Sequence, residues 1–298
     1  MTLDVSSLGE EPVVVLDCRN ELAECVLWDD RQGLLWWTNI HAAELWSWNP
    51  FVGDGPLIHP MPDRVGAFGL CERGGLILGL ASGFALYDPS SREVLTIVDV
   101  EGDLPTTRLN DGRVDPFGCF VCGGMDEATT QAPLSAVYRL NEHGRVAPII
   151  SGVHCANSIC WSPDGSEMYF ADMPTGRIDV YTYVPPAEPR WKRHLTKVSG
   201  VGLPDGSQVD ADGYLWNSEW GGSQIVRYAP DGTVDRAISL PVTNPTCLTF
   251  GGPDLDVLFV STARFGLSAA DVTNQPGAGG IFALRPGVRG RLEHRYAG

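Results

Sequence analysis

Leu34-Leu35-Trp36-Trp37, followed by Leu45-Trp46-Ser47-Trp48-Asn49-Pro50, is the stretch on which the fold turns. Two short apolar runs are joined by a short polar connection, and the second run closes on Asn-Pro. Runs of this length between turn-formers suit buried strands better than helices. The same unit recurs along the chain. Leu76-Ile77-Leu78 leads to Phe84-Ala85-Leu86-Tyr87-Asp88-Pro89, and Cys119-Phe120-Val121 to Ala136-Val137-Tyr138-Arg139-Leu140. Met168-Tyr169-Phe170 leads to Ile178-Asp179-Val180-Tyr181, and Tyr214-Leu215-Trp216 to Ile225-Val226-Arg227-Tyr228. Val257-Leu258-Phe259-Val260 leads to Gly280-Ile281-Phe282-Ala283-Leu284. Six units at intervals of roughly 42 to 49 residues fall in the range of propeller blades of about four strands. No long stretch keeps helical periodicity, and 35 glycines and 22 prolines supply many turns. The expectation is an all-β chain. It is a six-bladed β-propeller with four-stranded antiparallel blades around a central channel, and one domain over residues 1–298.

Composition narrows the function. At 298 residues and 43% hydrophobic content the chain can bury a large core, and no run is long and apolar enough to span a membrane. A net charge of −16 repels nucleic acid and anionic lipid, so neither is expected as a partner. The first residues, MTLDVSSLGEEPVVVLD, carry acids and no basic segment ahead of an apolar run, unlike a signal peptide. A cytoplasmic location and a monomer or weak homo-oligomer follow as expectations. Cys119 and Cys122 have the spacing of half a zinc site, but no second pair follows at a suitable distance. On a strand, positions three apart point to opposite faces. The eight cysteines therefore read as buried structural thiols.

The strongest local signal is Arg108–Met125, RLNDGRVDPFGCFVCGGM. It puts a cation (Arg108), an amide (Asn110) and a carboxylate (Asp111) within four positions. Gly112 reads as permitting a tight turn, Asp115-Pro116-Phe117-Gly118 as a second turn, and Cys119–Cys122 as a buried strand. The polar group is thus expected on a loop held still by a sheet, where functional groups are commonly carried. Asn, Asp and Gly are also ordinary turn residues, so an ordinary solvated turn fits the composition equally.

The pattern R-x-N-D-G-x-x-D-P-x-G, then an apolar strand, then G-x-M, resembles the gluconolactonase/regucalcin (SMP-30) family. The similarity runs from about Glu24 to the C-terminus. Leu22-Ala23-Glu24-Cys25-Val26-Leu27-Trp28 resembles the family's G-E-G-P-x-W, with Ala23, Cys25 and Val26 in place of the Gly and Pro around Glu24. Cys155-Ala156-Asn157-Ser158 through Trp161-Ser162-Pro163-Asp164-Gly165 resembles its S-N-G-x-x-W-S segment, with Ser158 in place of Gly. Leu203-Pro204-Asp205-Gly206 ahead of Asp210-Ala211-Asp212-Gly213-Tyr214-Leu215-Trp216 resembles P-D-G-x-x-x-D-x-x-G-x-L-W. The resemblance implies a propeller with a site at one mouth of its channel. It implies Glu24, Asn157 and Asp205 as metal ligands, Asp205 also as general base, and Arg108 and Asn110 as substrate contacts. Glu127 is a further substrate-side candidate. Glu219 lines the mouth or is a blade-surface acid, and Asp210 and Asp212 read as turn acids. Ser261 lacks a G-x-S-x-G context, and no histidine sits in a recognisable triad pattern.

The implied ligands offer only oxygen, which suits one hard divalent cation, Ca²⁺, Mg²⁺ or Mn²⁺; a carboxylate-rich site also takes Zn²⁺ or Fe²⁺. Three protein ligands leave positions for water and substrate, as metal-assisted hydrolysis requires. The implied activity is a lactonase of the carboxylic ester hydrolase type. It would open a small sugar lactone (L-arabinono-, D-xylono- or gluconolactone) to its aldonic acid. Two other readings stay open at this stage. One is a propeller hydrolase of esters or organophosphates; the other is a non-catalytic divalent-metal-binding or scaffold propeller.

Overall fold

The structure is a computed structural model and describes residues 3–298; Met1 and Thr2, the first residues of the N-terminal segment and of the expected domain, lie outside the described residues. Six four-stranded sheets are present, each antiparallel, and they make the fold that of a six-bladed β-propeller. The described residues group into two compact units of three blades. One comprises residues 3–60 and 198–292, the other 61–197 and 293–298.

In the first unit the blades begin with the strands Ala23–Asp29, Leu203–Val209 and Pro245–Gly251. The Pro245–Gly251 strand packs against both of the others. Two of these blades run in simple chain order. The third is completed from the other end of the chain: Val13–Leu16 pairs with Ile281–Leu284, Val13 opposite Ala283 and Val14 opposite Phe282. The sequence reading assigned the end of this blade to the C-terminal residues and did not find the N-terminal strand. Between Val257–Thr262 and Ile281–Leu284 lies the one α-helix among the described residues, Ala269–Asn274, started by a reciprocal Ser268–Asp271 capping box. The core here is aromatic. Trp28 stacks on Phe259 of the neighbouring blade at 6.3 Å between centroids, and Trp216 meets Phe250 edge-on at 6.0 Å. Truncating such a side chain to Ala costs about 3–5 kcal/mol.

In the second unit the blades begin with Val65–Leu70, Thr107–Val114 and Ala156–Trp161, and these strands pack side by side in that order. The turn expected at Asp115–Gly118 is present. Gly118 N–H donates to Asp115 O at 3.1 Å with φ 83°, which a Cβ would resist. The Asp115 carboxylate accepts from Phe117 N, Cys119 N and, at 2.6 Å, the buried Tyr183 hydroxyl of the next blade. A turn acid thus ties two blades together.

One expectation is corrected here. Arg108–Gly112 is not a loop ahead of a strand but lies within the first strand of its blade, Thr107–Val114, paired with Phe120–Asp126. Gly112 has no turn to make. A Cβ there would stand 2.7 Å from Val121 O and 2.8 Å from Cys122 Cβ, so close packing on the next strand is what requires glycine. Asn157 and Asp205 also lie inside strands. Polar residues read as turn material because that is their usual place; here a local break in the ladder accommodates them instead.

Candidate functional site

In every blade the ladder between first and second strands is broken near the start of the first strand. The register shifts between Glu24 and Leu27, Val65 and Ala67, and Leu109 and Asp111. It shifts again between Asn157 and Cys160, Pro204 and Ser207, and Pro245 and Leu248. Such bulges leave a residue unpaired and re-aim side chains, often beside functional sites. Glu24, Asn110, Asn157 and Asp205 fall at or within these breaks. In four of the six blades the break thus carries a carboxylate or an amide in the same local geometry.

The backbone after two of the candidates is left-handed without glycine. Cys25 has φ 48° and Ser158 φ 61°, at the two positions where the family pattern carries Gly. Left-handed backbone costs a residue with a Cβ about 1–2 kcal/mol. The conformation survives the loss of glycine, so Glu24 and Asn157 stand on the backbone that the pattern demands. Neighbours brace these sites. Asn217, buried, donates Nδ2–H to Asp205 O at 3.0 Å and to Ser207 Oγ at 2.9 Å. Thr246 Oγ donates to Ala23 O, the residue before Glu24, and contacts Ser261 Oγ at 2.8 Å. Ser261 is fully buried in this brace, with its hydroxyl bonded to Thr246 and to the Cys247 backbone.

The second unit brings Arg108, Asn110, Glu127 and Asn157 into one hydrogen-bonded chain. Arg108 Nε donates to Glu127 Oε1 at 2.9 Å, and its Nη1 donates to Asn110 Oδ1 at 2.7 Å and Leu109 O at 3.0 Å. Asn110 Nδ2 donates to Ala156 O at 2.9 Å and, at 3.4 Å, to Asn157 Oδ1. The Asn157 amide turns its Nδ2 toward Met173 Sδ at 3.4 Å and Cys155 Sγ at 3.8 Å. Its oxygen faces the other way with one long hydrogen bond, leaving lone-pair capacity for a ligand. Glu127 also takes Arg64 Nη1 on the same Oε1, at 2.8 Å. Burial pushes the Glu127 carboxyl up, but Arg64 and Arg108 outweigh it and hold it below its ordinary value. Asp111 accepts backbone hydrogen bonds from Ile159 N, at 2.9 Å, and from Gly112, but loss of water outweighs them and pushes its carboxyl up to about 6.

Arg64 was missed by sequence reasoning. The available signal was the polar pair Asp63-Arg64 directly ahead of the apolar first strand Val65–Leu70. Glu219 is not a blade-surface acid. It is buried, with Oε1 accepting from Tyr228 OH at 2.8 Å and Oε2 from Gln224 Nε2 at 2.6 Å. Asp210 is a turn acid, as expected, and holds Arg227 as well. All eight cysteines are free thiols, and burial raises those of Cys18, Cys71 and Cys119 to about 12, 12 and 11. His154 Nδ1 pairs with Asp172 Oδ2 at 2.7 Å, but no hydroxyl is bonded to that ring among the described residues.

Among the described residues no group of three His, Cys, Asp or Glu side chains is placed to hold a metal ion. The candidate set draws instead on an amide. Taken singly, Asp205 and Asn157 are buried and Glu24 half-buried, and each offers oxygen. These residues fit a hard divalent cation.

Six four-stranded antiparallel blades define the class, a six-bladed β-propeller. The chain belongs to the family described as SMP-30/gluconolactonase/LRE-like, whose pattern matches residues 22–264. It is 39% identical to an L-arabinolactonase of Azospirillum brasilense, covering 97% of this chain and 96% of that protein. It is 32% identical to a 6-deoxy-6-sulfogluconolactonase of Pseudomonas putida, covering 93% and 95%. Among solved structures it is similar to a calcium-binding protein, regucalcin, of Agrobacterium tumefaciens: TM-score 0.88, 29% identity, 95% of this chain and 96% of that one. No helix among the described residues is long and apolar enough to cross a membrane.

Proposed function

We propose that this chain is a metal-dependent lactonase that opens a small sugar lactone to its aldonic acid. The finer preference we infer is for a pentonolactone such as L-arabinono- or D-xylonolactone, with gluconolactone as the six-carbon alternative. Support comes from family membership and from lactonase relatives that match the chain over nearly its whole length. The observation that carries the reading is the hydrogen-bonded chain Glu127–Arg108–Asn110–Asn157. It joins the expected substrate contacts to an expected metal ligand, so ring hydroxyls and carbonyl would be gripped by one connected group.

Glu24, Asn157 and Asp205 would hold one divalent ion, Ca²⁺, Mg²⁺ or Mn²⁺, with Zn²⁺ or Fe²⁺ also suited to the donors. When bound, the ion supplies Lewis-acid polarisation of the lactone carbonyl and stabilises the developing oxyanion. Asp205 accepts a proton from the attacking water. Arg108 has its Nη2 hydrogens uncommitted among the described residues, and Glu127 its Oε2, so each can meet a hydroxyl. The test is a panel of aldonolactones, followed as acid release in weak buffer with correction for spontaneous opening. It is run after chelation and again with each metal added back. Hydrolysis of polyol lactones above aryl esters and phosphotriesters, restored by metal, is expected. A folded chain that opens no aldonolactone with any of these ions overturns the reading.

A further inference from the structure

The second blade carries no acid or amide at its strand break. The break falls at Gly66, and a Cβ there would collide with Leu109 O of the neighbouring strand, so this position can present no side chain. The blade presents Arg64 instead, one residue before its first strand. The Arg64 backbone is pinned on both sides. Its N–H donates to Asp63 Oδ1 at 2.8 Å, and its C=O accepts from Ala81 N at 2.8 Å. Asp63 Oδ2 in turn takes Ser82 Oγ at 3.0 Å.

From this fixed base the guanidinium reaches Glu127, but with one nitrogen only. Nη1 meets Glu127 Oε1 at 2.8 Å, while Nε and Nη2 have no partner among the described residues. Its side chain is 33% exposed, against 4% for Arg108, and Arg108 spends Nε and Nη1 on protein acceptors. The two arginines share a carboxylate oxygen yet differ in what they can offer a ligand. Arg64 offers a planar fork of donors, and beside it Glu127 Oε2 offers an acceptor. Neighbouring hydroxyls need just this, since each both donates and accepts.

We propose that Arg64 is a substrate-binding and specificity-determining residue that holds vicinal hydroxyls of the sugar ring together with Glu127, while Arg108 chiefly positions Glu127 and Asn110. The proposal deepens the lactonase reading and rests on it for the identity of the ligand.

Two variants and two measurements test it. Calorimetric titration with a pentitol reads hydroxyl binding without turnover. Arg64→Met should weaken it by roughly 10-fold or more, the usual size of a hydrogen bond to a charged group. In kinetics, Arg64→Met should lower kcat/KM for a pentonolactone by a similar factor, mainly through KM. It should leave unsubstituted γ-butyrolactone unchanged. Arg64→Lys keeps the charge for Glu127 but loses the fork, so it should recover only part of the loss. Full recovery by Arg64→Lys, an equal fall on both lactones, or pentitol binding that is absent in wild type or unaltered by Arg64→Met would each overturn the proposal. If wild type opens no lactone, the lactonase reading fails separately, and the pentitol titration still decides the role of Arg64.

Discussion

Two arginine–carboxylate clusters, one in each unit, look alike as inventories and differ in what is left over. In the first unit Asp210 is fully buried and saturated. Oδ1 accepts from Asp212 N and Tyr214 N, both at 3.0 Å; Oδ2 accepts from Trp216 Nε1 at 2.9 Å and Arg227 Nε at 2.8 Å. Arg227 completes its shell with Asp235 at 3.0 Å and Asp212 at 3.2 Å, and lies 3.8 Å over the Tyr214 ring. In the second unit Glu127 is partly exposed and uses one oxygen for two arginines, leaving Oε2 and much of Arg64 uncommitted among the described residues. Saturation marks a structural cluster, because every buried polar atom must find a partner. Hydrogen-bonding capacity that the protein leaves unspent near solvent is available to water and to a ligand alike.

The largest effect should come from breaking the closed cluster. Arg227→Met strands the buried Asp210 charge and should cost about 3–5 kcal/mol in denaturant unfolding. The folded fraction should keep its lactone kinetics. A loss under about 1 kcal/mol would mean that the contrast with Glu127 is misjudged.

Asp111 sits between the extremes, buried and held by backbone donors from Ile159 and Gly112, where Asp210 has four donors, an arginine among them. Its carboxyl is raised to about 6 in the folded chain, above its unfolded value. The stability it contributes is therefore fully present below about pH 4 and is lost as pH rises through about 6, by at most about 3 kcal/mol. Asp111→Asn should abolish this part of the pH dependence. Urea unfolding from pH 4 to 7 should show the variant gaining on wild type across that window. Parallel curves would remove Asp111 from the comparison.

Asp205→Asn changes chemistry on the open side. It keeps an oxygen and removes the base, so kcat should fall roughly 10²-fold with added metal, while unfolding shifts little. A wild-type rate at metal saturation would show that another group activates the water. The mildest change is Arg108→Met. Glu127 can turn to water when its partner goes, so the stability loss should be about 1–2 kcal/mol, well below that of Arg227→Met. KM should rise by roughly 10-fold with kcat little altered. A loss as large as that of Arg227→Met would make Arg108 structural first.

How far these sites were legible depends on the range of the interactions. The strands were legible because apolar runs and Pro/Gly turns act over a few residues. Glu24, Asn157 and Asp205 stood out because each belongs to a local pattern. The error over Arg108–Gly112 came from the same locality. Gly112 was read as a turn former, and only the approach of Val121 and Cys122 across the ladder shows that it is there for space. Glu219 likewise looked exposed until Tyr228 and Gln224, later in its own blade, closed over it.

By itself, then, the sequence determined the all-β class, the six repeated units and the family motifs, all written in short-range patterns of polarity and turn residues. Tertiary structure decided the rest. Only pairing across the chain places Val13–Leu16 beside Ile281–Leu284 and Arg64 against Glu127, 63 positions away. Only packing makes Arg108 a buried brace and leaves Arg64 free to bind. Burial and hydrogen-bond satisfaction depend on neighbours that strand register and blade packing bring together, and no local pattern of residues encodes them.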